Sequence, residues 1–254
     1  MLFAVDVGNT QSVLGLFEDD ELVGHWRIST NLSLTSDELR VLVSGLLDLG
    51  GWSWDDVTSV ILASVVPPVT EAWEDVARSG CQCEPLVVGP GLKTGMPIRY
   101  DNPHEVGADR IVNGVAAFER LGGPVVVVDF GTATTIDVVD GTGAYVGGAI
   151  APGVETSAEA LFSKAARLSM VDLEAPTKAI GTNTRASVQA GLLLGEAAKV
   201  DGLVRRVWSE LGAETPVIAT GGLAERMGPL CDTVGHVDLD LTLEGLRIIF
   251  GRNA

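Results

Sequence analysis

Leu2-Phe3-Ala4-Val5-Asp6-Val7-Gly8-Asn9-Thr10 and Pro124-Val125-Val126-Val127-Val128-Asp129-Phe130-Gly131-Thr132-Ala133-Thr134-Thr135 are two versions of one pattern. Each is an apolar run suited to a buried strand. Each ends in Asp-X-Gly and passes into short polar residues. Asp129 stands 123 residues after Asp6, and Gly131 stands the same distance after Gly8. Val5 matches Val128, Val23 matches Val146 and Gly24 matches Gly147, so one offset carries about twenty residues without a gap. One such ending arises easily by chance; two in register point to a duplicated unit.

Both copies continue as hairpins. Residues 12–17 turn at Glu18-Asp19-Asp20-Glu21 and return through 22–28. Residues 135–139 turn at Asp140-Gly141-Thr142-Gly143 and return through 144–150, a glycine-rich turn typical of hairpins. Alternating helix and strand follow. A helix is predicted over 36–49, opened by Ser36-Asp37-Glu38. A strand over 57–66 stops at Pro67-Pro68, with a helix over 70–79 and a strand over 86–88. Helices are predicted over 108–121, 155–168, 185–211 and 243–250, and a strand over 216–219. Leu192-Leu193-Leu194 lies within the long helix and predicts burial on several sides. No low-complexity linker separates the copies, and the boundary falls near 110–122. The expected fold class is α/β, with domains 1–115 and 116–254 around a nucleotide cleft and the last helix packing back on the first half.

Composition narrows the function. The chain has 254 residues, 46% hydrophobic and 20% charged, which suits a globular core rather than disorder. With 31 glycines, tight turns and close backbone approaches are expected. The formal charge of −17 argues against nucleic acid or an anionic membrane as a partner. No apolar run is long enough to span a bilayer, and Asp6 interrupts the first apolar run, so no secretory leader is expected and the location is cytoplasmic. Cys81, Cys83 and Cys231 are expected to be reduced and structural.

The two glycine turns suit phosphate chemistry. Gly8 and Gly131 let backbone N–H groups approach an anion, and Asn9, Thr10, Thr132, Thr134 and Thr135 add short donors. Neither Gly-Lys-Ser/Thr nor Gly-X-Gly-X-X-Gly occurs, which excludes the simplest P-loop and Rossmann readings. Asp6 and Asp129 would repel a phosphate directly and are expected to act through a cation or water, Asp6 on Mg²⁺. Gly147-Gly148-Ala149-Ile150-Ala151-Pro152-Gly153 and Thr220-Gly221-Gly222 are further glycine stretches, the latter a place for a nucleoside. A last cluster joins Tyr100 to Gly107-Ala108-Asp109-Arg110. Asp109 reads either as a helix N-terminal residue with Arg110 as its partner, or as a general base with Arg110 as an anion clamp.

These loops, with Ala219-Thr220-Gly221-Gly222, resemble the acetate and sugar kinase, heat-shock ATPase and actin superfamily, which shares the ribonuclease H-like fold. Within it the sequence resembles the type III pantothenate kinase family. The resemblance rests on Asp6-Val7-Gly8-Asn9-Thr10, Gly107-Ala108-Asp109-Arg110, the run from Asp129 to Thr135, the run from Gly147 to Gly153, Gly181-Thr182-Asn183-Thr184 and Leu241-Thr242-Leu243-Glu244-Gly245-Leu246. They span almost the whole chain in the family's order. The resemblance implies ATP-dependent phosphorylation of pantothenate to 4′-phosphopantothenate, on the route to coenzyme A. It implies that Asp6, Val7, Gly8, Asn9, Thr10, Gln11, Ser12 and Val13 hold ATP phosphates and that Thr132 contacts them. Asp109 is then the base. Tyr100, Gly107, Ala108, Asp109, Arg110 and Thr184 contact pantothenate, and Asp129 binds K⁺ or NH₄⁺. A homodimer is implied. Two rival expectations are another small-molecule kinase of the superfamily and a non-enzymatic, nucleotide-binding transcriptional accessory factor.

Overall fold

The computed structural model describes residues 1–165 and 170–254. In chain order the elements are β1 (Leu2–Val7), β2 (Gln11–Glu18), β3 (Glu21–Ser29), α1 (Ser36–Gly50), β4 (Ser59–Ser64), α2 (Pro67–Gly80), β5 (Leu86–Val87), α3 (Ala108–Leu121), β6 (Val125–Phe130), β7 (Ala133–Val139), β8 (Tyr145–Pro152), α4 (Val154–Lys164), α5 (Thr184–Gln189), a π-helical turn (Ala190–Leu194), α6 (Gly195–Leu211), β9 (Val217–Thr220), α7 (Ala224–Met227), β10 (His236–Val237) and α8 (Leu241–Gly251). They form two compact units. One comprises residues 1–96, 101–116 and 241–254, and the other residues 97–100 and 117–240.

Each unit holds one five-stranded sheet, ordered β3-β2-β1-β4-β5 in the first and β8-β7-β6-β9-β10 in the second. In both, the opening strand pairs antiparallel with the next, the hairpin continues antiparallel, and the remaining two strands add in parallel. The likeness extends to register. Phe3 lies opposite Val60 where Val126 lies opposite Val217, and Ile61 opposite Leu86 where Ile218 lies opposite His236. Asp6, however, faces Val13, whereas Asp129 faces Thr135. The offset of 123 therefore holds from β1 to β6 and falls to 122 from β2 to β7. A bulge between Leu16 and Phe17 reappears at that shorter offset, between Val138 and Val139. The gapless repeat is thus corrected: the first turn, Gly8-Asn9-Thr10, is one residue longer than the second, Gly131-Thr132.

Alternation in β1 divides the first core. Phe3, Val5 and Val7, with Leu14, Leu16, Val60 and Leu62, pack on Leu39, Val43 and Leu47 of α1 and on Val69, Trp73 and Val76 of α2. The opposite face carries small residues, Ala4 facing Gly15, and takes α8 against β1, β2 and β4. A Cβ at Gly15 would press on Leu243. In the second unit Val126, Val128, Phe130 and Ile136 pack with Val154 of α4, Leu193 of the π turn, and Ala197, Val200 and Val204 of α6.

Local chemistry explains the boundaries. Thr35 accepts from the Glu38 N–H at 3.3 Å while the Glu38 carboxylate accepts from the Thr35 N–H at 3.0 Å, a reciprocal cap that starts α1. Pro67-Pro68, expected only to stop a strand, also open α2. Proline is well placed in a first helical turn, where its missing N–H costs no bond. The helix predicted over 185–211 is interrupted by the π turn, in which Gly191 lies and which Gly195 follows. The helix predicted over 155–168 is α4 as far as Lys164; positions 166–168 lie outside the described residues. The expected reduced pair is also corrected. Gln82, at φ +55°, turns the chain so that Cys81 and Cys83, with Cα atoms 5.4 Å apart, form a disulfide. Cys231 is free and buried. Among the described residues no helix is long and apolar enough to cross a membrane.

Candidate functional site

Asp6 and Asp129 are the half-buried members of two strands that otherwise share one burial pattern. Beyond Asp6 the chain turns tightly, with the Gly8 N–H donating to Gln11 O at 3.1 Å. The Thr30 N–H donates to Thr10 O at 2.9 Å, and the Thr30 hydroxyl donates to Gly8 O at 2.7 Å. Ser12 is buried and its hydroxyl lies 2.9 Å from that of Thr30. Asn9, Thr10 and Gln11 are exposed, and Val13 is half-buried. The run proposed to hold ATP phosphates thus divides in two: the side chains of Asn9, Thr10 and Gln11 are exposed, while the Gly8 N–H, expected to approach an anion, is committed to Gln11 O and Ser12 braces the turn through Thr30.

Asp109 is the second residue of α3. Its Oδ1 accepts the Arg110 N–H at 2.9 Å, a bond within the helix's first turn. The carboxylate folds back over Gly107, where a Cβ would overlap it. Gly107 is thereby explained: any side chain there displaces Asp109. Arg110 is buried. One turn further along α3, Asn113 is buried and accepts from the Thr242 hydroxyl at 2.7 Å. A Cβ at Gly245 would meet the Val112 carbonyl. The Leu241 to Leu246 motif therefore works by holding α8 close to α3, the helix that carries Asp109.

The second turn is built alike. The Gly131 N–H donates to Ala133 O at 3.0 Å, and Thr132 O accepts from the Gly153 N–H at 3.1 Å and the Thr156 hydroxyl at 2.7 Å. Thr132 itself is exposed. Asp129 lies against Gly221, whose φ of +92° and contact with the carboxylate leave no room for a Cβ. The Thr220-Gly221-Gly222 stretch thus abuts the proposed cation ligand. Thr134 is buried and donates to Glu196 Oε1 at 2.7 Å.

Tyr100 lies in the same unit as this turn. Residues 97–100 join the sheet edge beside β8, with the Arg99 N–H donating to Tyr145 O at 2.8 Å. The Tyr100 ring covers Gly147 and lies 6.2 Å from the ring of Tyr145. Tyr145 is fully buried and donates to Asp137 Oδ1 at 2.8 Å, and the Thr135 hydroxyl donates to Asp137 Oδ2 at the same distance. Thr184 is the first residue of α5, capped by Asn183, whose Oδ1 accepts from the Ala186 N–H at 2.9 Å. It lines an open groove of about 780 Å³ with Ser157, Leu161, Ser187, Val188 and Leu192.

Sequence reasoning missed Thr30, Thr156, Glu196 and the Asp137–Tyr145 pair. Thr30 had one available signal, since it stands opposite the first turn at the end of the predicted hairpin. Among the described residues no three His, Cys, Asp or Glu side chains gather as a metal site. Asp6 and Asp129 each offer a single carboxylate, the donor type that leaves most of a hard cation's shell to phosphate and water.

The family model described as type III pantothenate kinase matches residues 2–206. A "Type III pantothenate kinase" of Moorella thermoacetica is 49% identical over 253 residues, covering all of both chains. One of Citrifermentans bemidjiense is 51% identical over 254 residues, again covering all of both. Among solved structures, a putative Baf family transcriptional activator from Campylobacter jejuni matches with TM-score 0.63 at 17% identity, covering 99% of this chain and 98% of its own. MreB 5 of Spiroplasma citri matches with TM-score 0.57 at 11% identity, covering 99% and 97%. At such identities the two structures show a shared fold, the duplicated actin-like architecture, and nothing of function. Sharing half of its residues with relatives along their whole length, the chain belongs to the type III pantothenate kinase family.

Proposed function

We propose that this chain phosphorylates pantothenate with ATP, giving 4′-phosphopantothenate and ADP, the entry to coenzyme A synthesis. The observation that carries the reading is the whole-length identity with relatives so named. The local geometry supports it, because Asn9, Thr10, Gln11 and Thr132 of the two strand-end turns are exposed and Gly107 leaves room for the Asp109 carboxylate.

Phosphoryl transfer asks a protein mainly for positioning and charge stabilisation. The turn at Gly8-Asn9-Thr10, braced by Thr30 and Ser12, holds the ATP phosphates with Asp6, Val7, Gln11 and Val13, and Thr132 contacts them from the second turn. Asp109 accepts the proton of the attacking primary hydroxyl as the oxygen–phosphorus bond forms and the bond to ADP breaks. Gly107, Ala108, Arg110, Tyr100 and Thr184 bind pantothenate, with Arg110 suited to its carboxylate. The donor chemistry fits the ions this reaction uses. Asp6 would hold Mg²⁺ through water and Asp129 a monovalent cation, K⁺ or NH₄⁺, each offsetting phosphate charge in a chain of net −17. The protein works in the cytoplasm as a homodimer.

The test is ADP release with ATP, Mg²⁺ and K⁺, with and without pantothenate, with the product's mass determined. Pantothenate-dependent release of ADP and a singly phosphorylated product are expected. Release that ignores pantothenate would replace this reading with an ATPase. No release from folded protein in any salt would favour a regulator.

A further inference from the structure

We propose that Glu196 and Lys199 form a positioning pair that sets the second phosphate turn for ATP. This rests on the kinase reading only in taking the Gly131-Thr132 turn as a nucleotide contact.

The duplication makes the argument. In the first unit the turn is braced within its own hairpin, because Ser12 holds the Thr30 hydroxyl and Thr30 holds Gly8 O and Thr10 O. By register, the counterpart of Ser12 is Thr134 and that of Thr30 is Gly153. The backbone part of the brace survives, with the Gly153 N–H donating to Thr132 O. The side-chain part cannot survive, because a Cβ at position 153 would collide with Gly131 O and Thr132 O. The Thr134 hydroxyl has therefore lost its hairpin partner.

Glu196 replaces it from α6. Its Oε1 accepts from Thr134 at 2.7 Å, and its Oε2 lies 2.7 Å from Lys199 Nζ. Lys199 donates in turn to Pro152 O at 2.9 Å. Ala133 and Pro152 are cross-strand partners at the open end of the β7–β8 hairpin, directly behind the turn. One helix thus grips both strands where they leave it, β7 through a carboxylate and β8 through an ammonium. The Glu196 side chain is only 5% exposed. Lys199 is 31% exposed, and an ion pair with one solvated member contributes little to stability. Its partners here converge on the turn, as expected of a pair that fixes geometry.

Glu196→Gln keeps the acceptor for Thr134 and loses the ion pair; Glu196→Ala loses both. Thr134→Val removes only the hydroxyl and guards against an alanine variant that does not fold. Expected for Glu196→Ala and Thr134→Val is a rise of about tenfold in KM for ATP, and in the calorimetric Kd for Mg·ATP without pantothenate, matching one or two lost hydrogen bonds. KM for pantothenate should move less than about twofold, and Glu196→Gln, which keeps the Thr134 bond but loses the ion pair to Lys199, should fall between wild type and Glu196→Ala; wild-type ATP affinity in Glu196→Gln would remove Lys199 from the device. ATP affinity unchanged in the folded variants would overturn the proposal. So would parallel increases in both KM values with a lowered Tm, which mark general loosening. If wild-type protein binds ATP but does not turn over pantothenate, the kinase reading fails while the calorimetry still decides this one.

Discussion

Replacing Asp109 by asparagine separates chemistry from architecture. Loss of a general base costs about 10²–10⁴ in rate, which is about 2.7–5.4 kcal/mol in the barrier. The structural cost is much smaller. Asparagine Oδ1 can still accept the Arg110 N–H, now bonded at 2.9 Å, and still fits the space left by Gly107. What goes is a negative charge in the first turn of α3, where an acidic side chain contributes about 0.3–1 kcal/mol. That is about 1–4 °C in Tm for a chain of this size. The rate should therefore fall by about a hundredfold or more, while the folding equilibrium shifts by only about two- to fivefold. A coupled ADP-release assay at saturating ATP and pantothenate, with a thermal melt of the same preparation, reads both. Since the lost interaction is made in the transition state, kcat and kcat/KM should fall together. A variant within tenfold of wild type in kcat would refute the base and return Asp109 to the role of a helix-terminal residue.

Other perturbations probe separate parts. If Asp129 holds a monovalent cation, rates should be high in K⁺ or NH₄⁺ and low in Na⁺ alone; equal initial rates in the three salts would remove that role. Gly245→Ala should force α8 away from the Val112 carbonyl and cost about 1–3 kcal/mol, the usual range for overpacking; an unchanged melting temperature would show that the crossing is looser than described. Burial pushes the Cys231 thiol up to about 12, with the Asp201, Glu196 and Asp232 carboxylates adding to the shift. The folded chain thus keeps a proton that the unfolded chain releases above a pH of about 8.5, so stability contributed by this group is intact below that pH and declines above it, by at most about 1.4 kcal/mol per pH unit. Iodoacetamide should leave Cys231 unmodified in native protein at pH 8 and label it in denaturant; rapid native labelling would contradict this.

The sequence is most legible where its signals are local. Helix α3 falls on the predicted 108–121, since its apolar spacing and acidic first turn agree. Both strand-end aspartates and both hairpins are where the repeat implies, because alternation and turn chemistry act within a few residues. The one-residue difference between the two turns escaped, because an insertion in one connection and its compensation in the next leave the flanking matches intact. The exposed two-residue strand β10 carries no periodic pattern to be read. Asp109 was visible as a candidate, but Gly107 as the reason its carboxylate fits was not. Glu196 was invisible for a physical reason: its bond to Thr134 spans 62 residues, and no propensity or spacing encodes such a contact.

The return of α8 to the first sheet bears on how the protein is made. The strands of that sheet and α3 all leave the ribosome before Gly122, whereas α8 begins at Leu241. During the synthesis of everything between, the Ala4–Gly15 face of the nascent sheet is uncovered, and the helix bearing Asp109 waits without Thr242 or Gly245 beside it. The second unit's strands and helices, all encoded before Leu241, are complete by then. A chain made as far as Asp240 therefore contains all of its later-encoded unit but not all of its earlier-encoded one, and gains a fully braced Asp109 only when translation is nearly over.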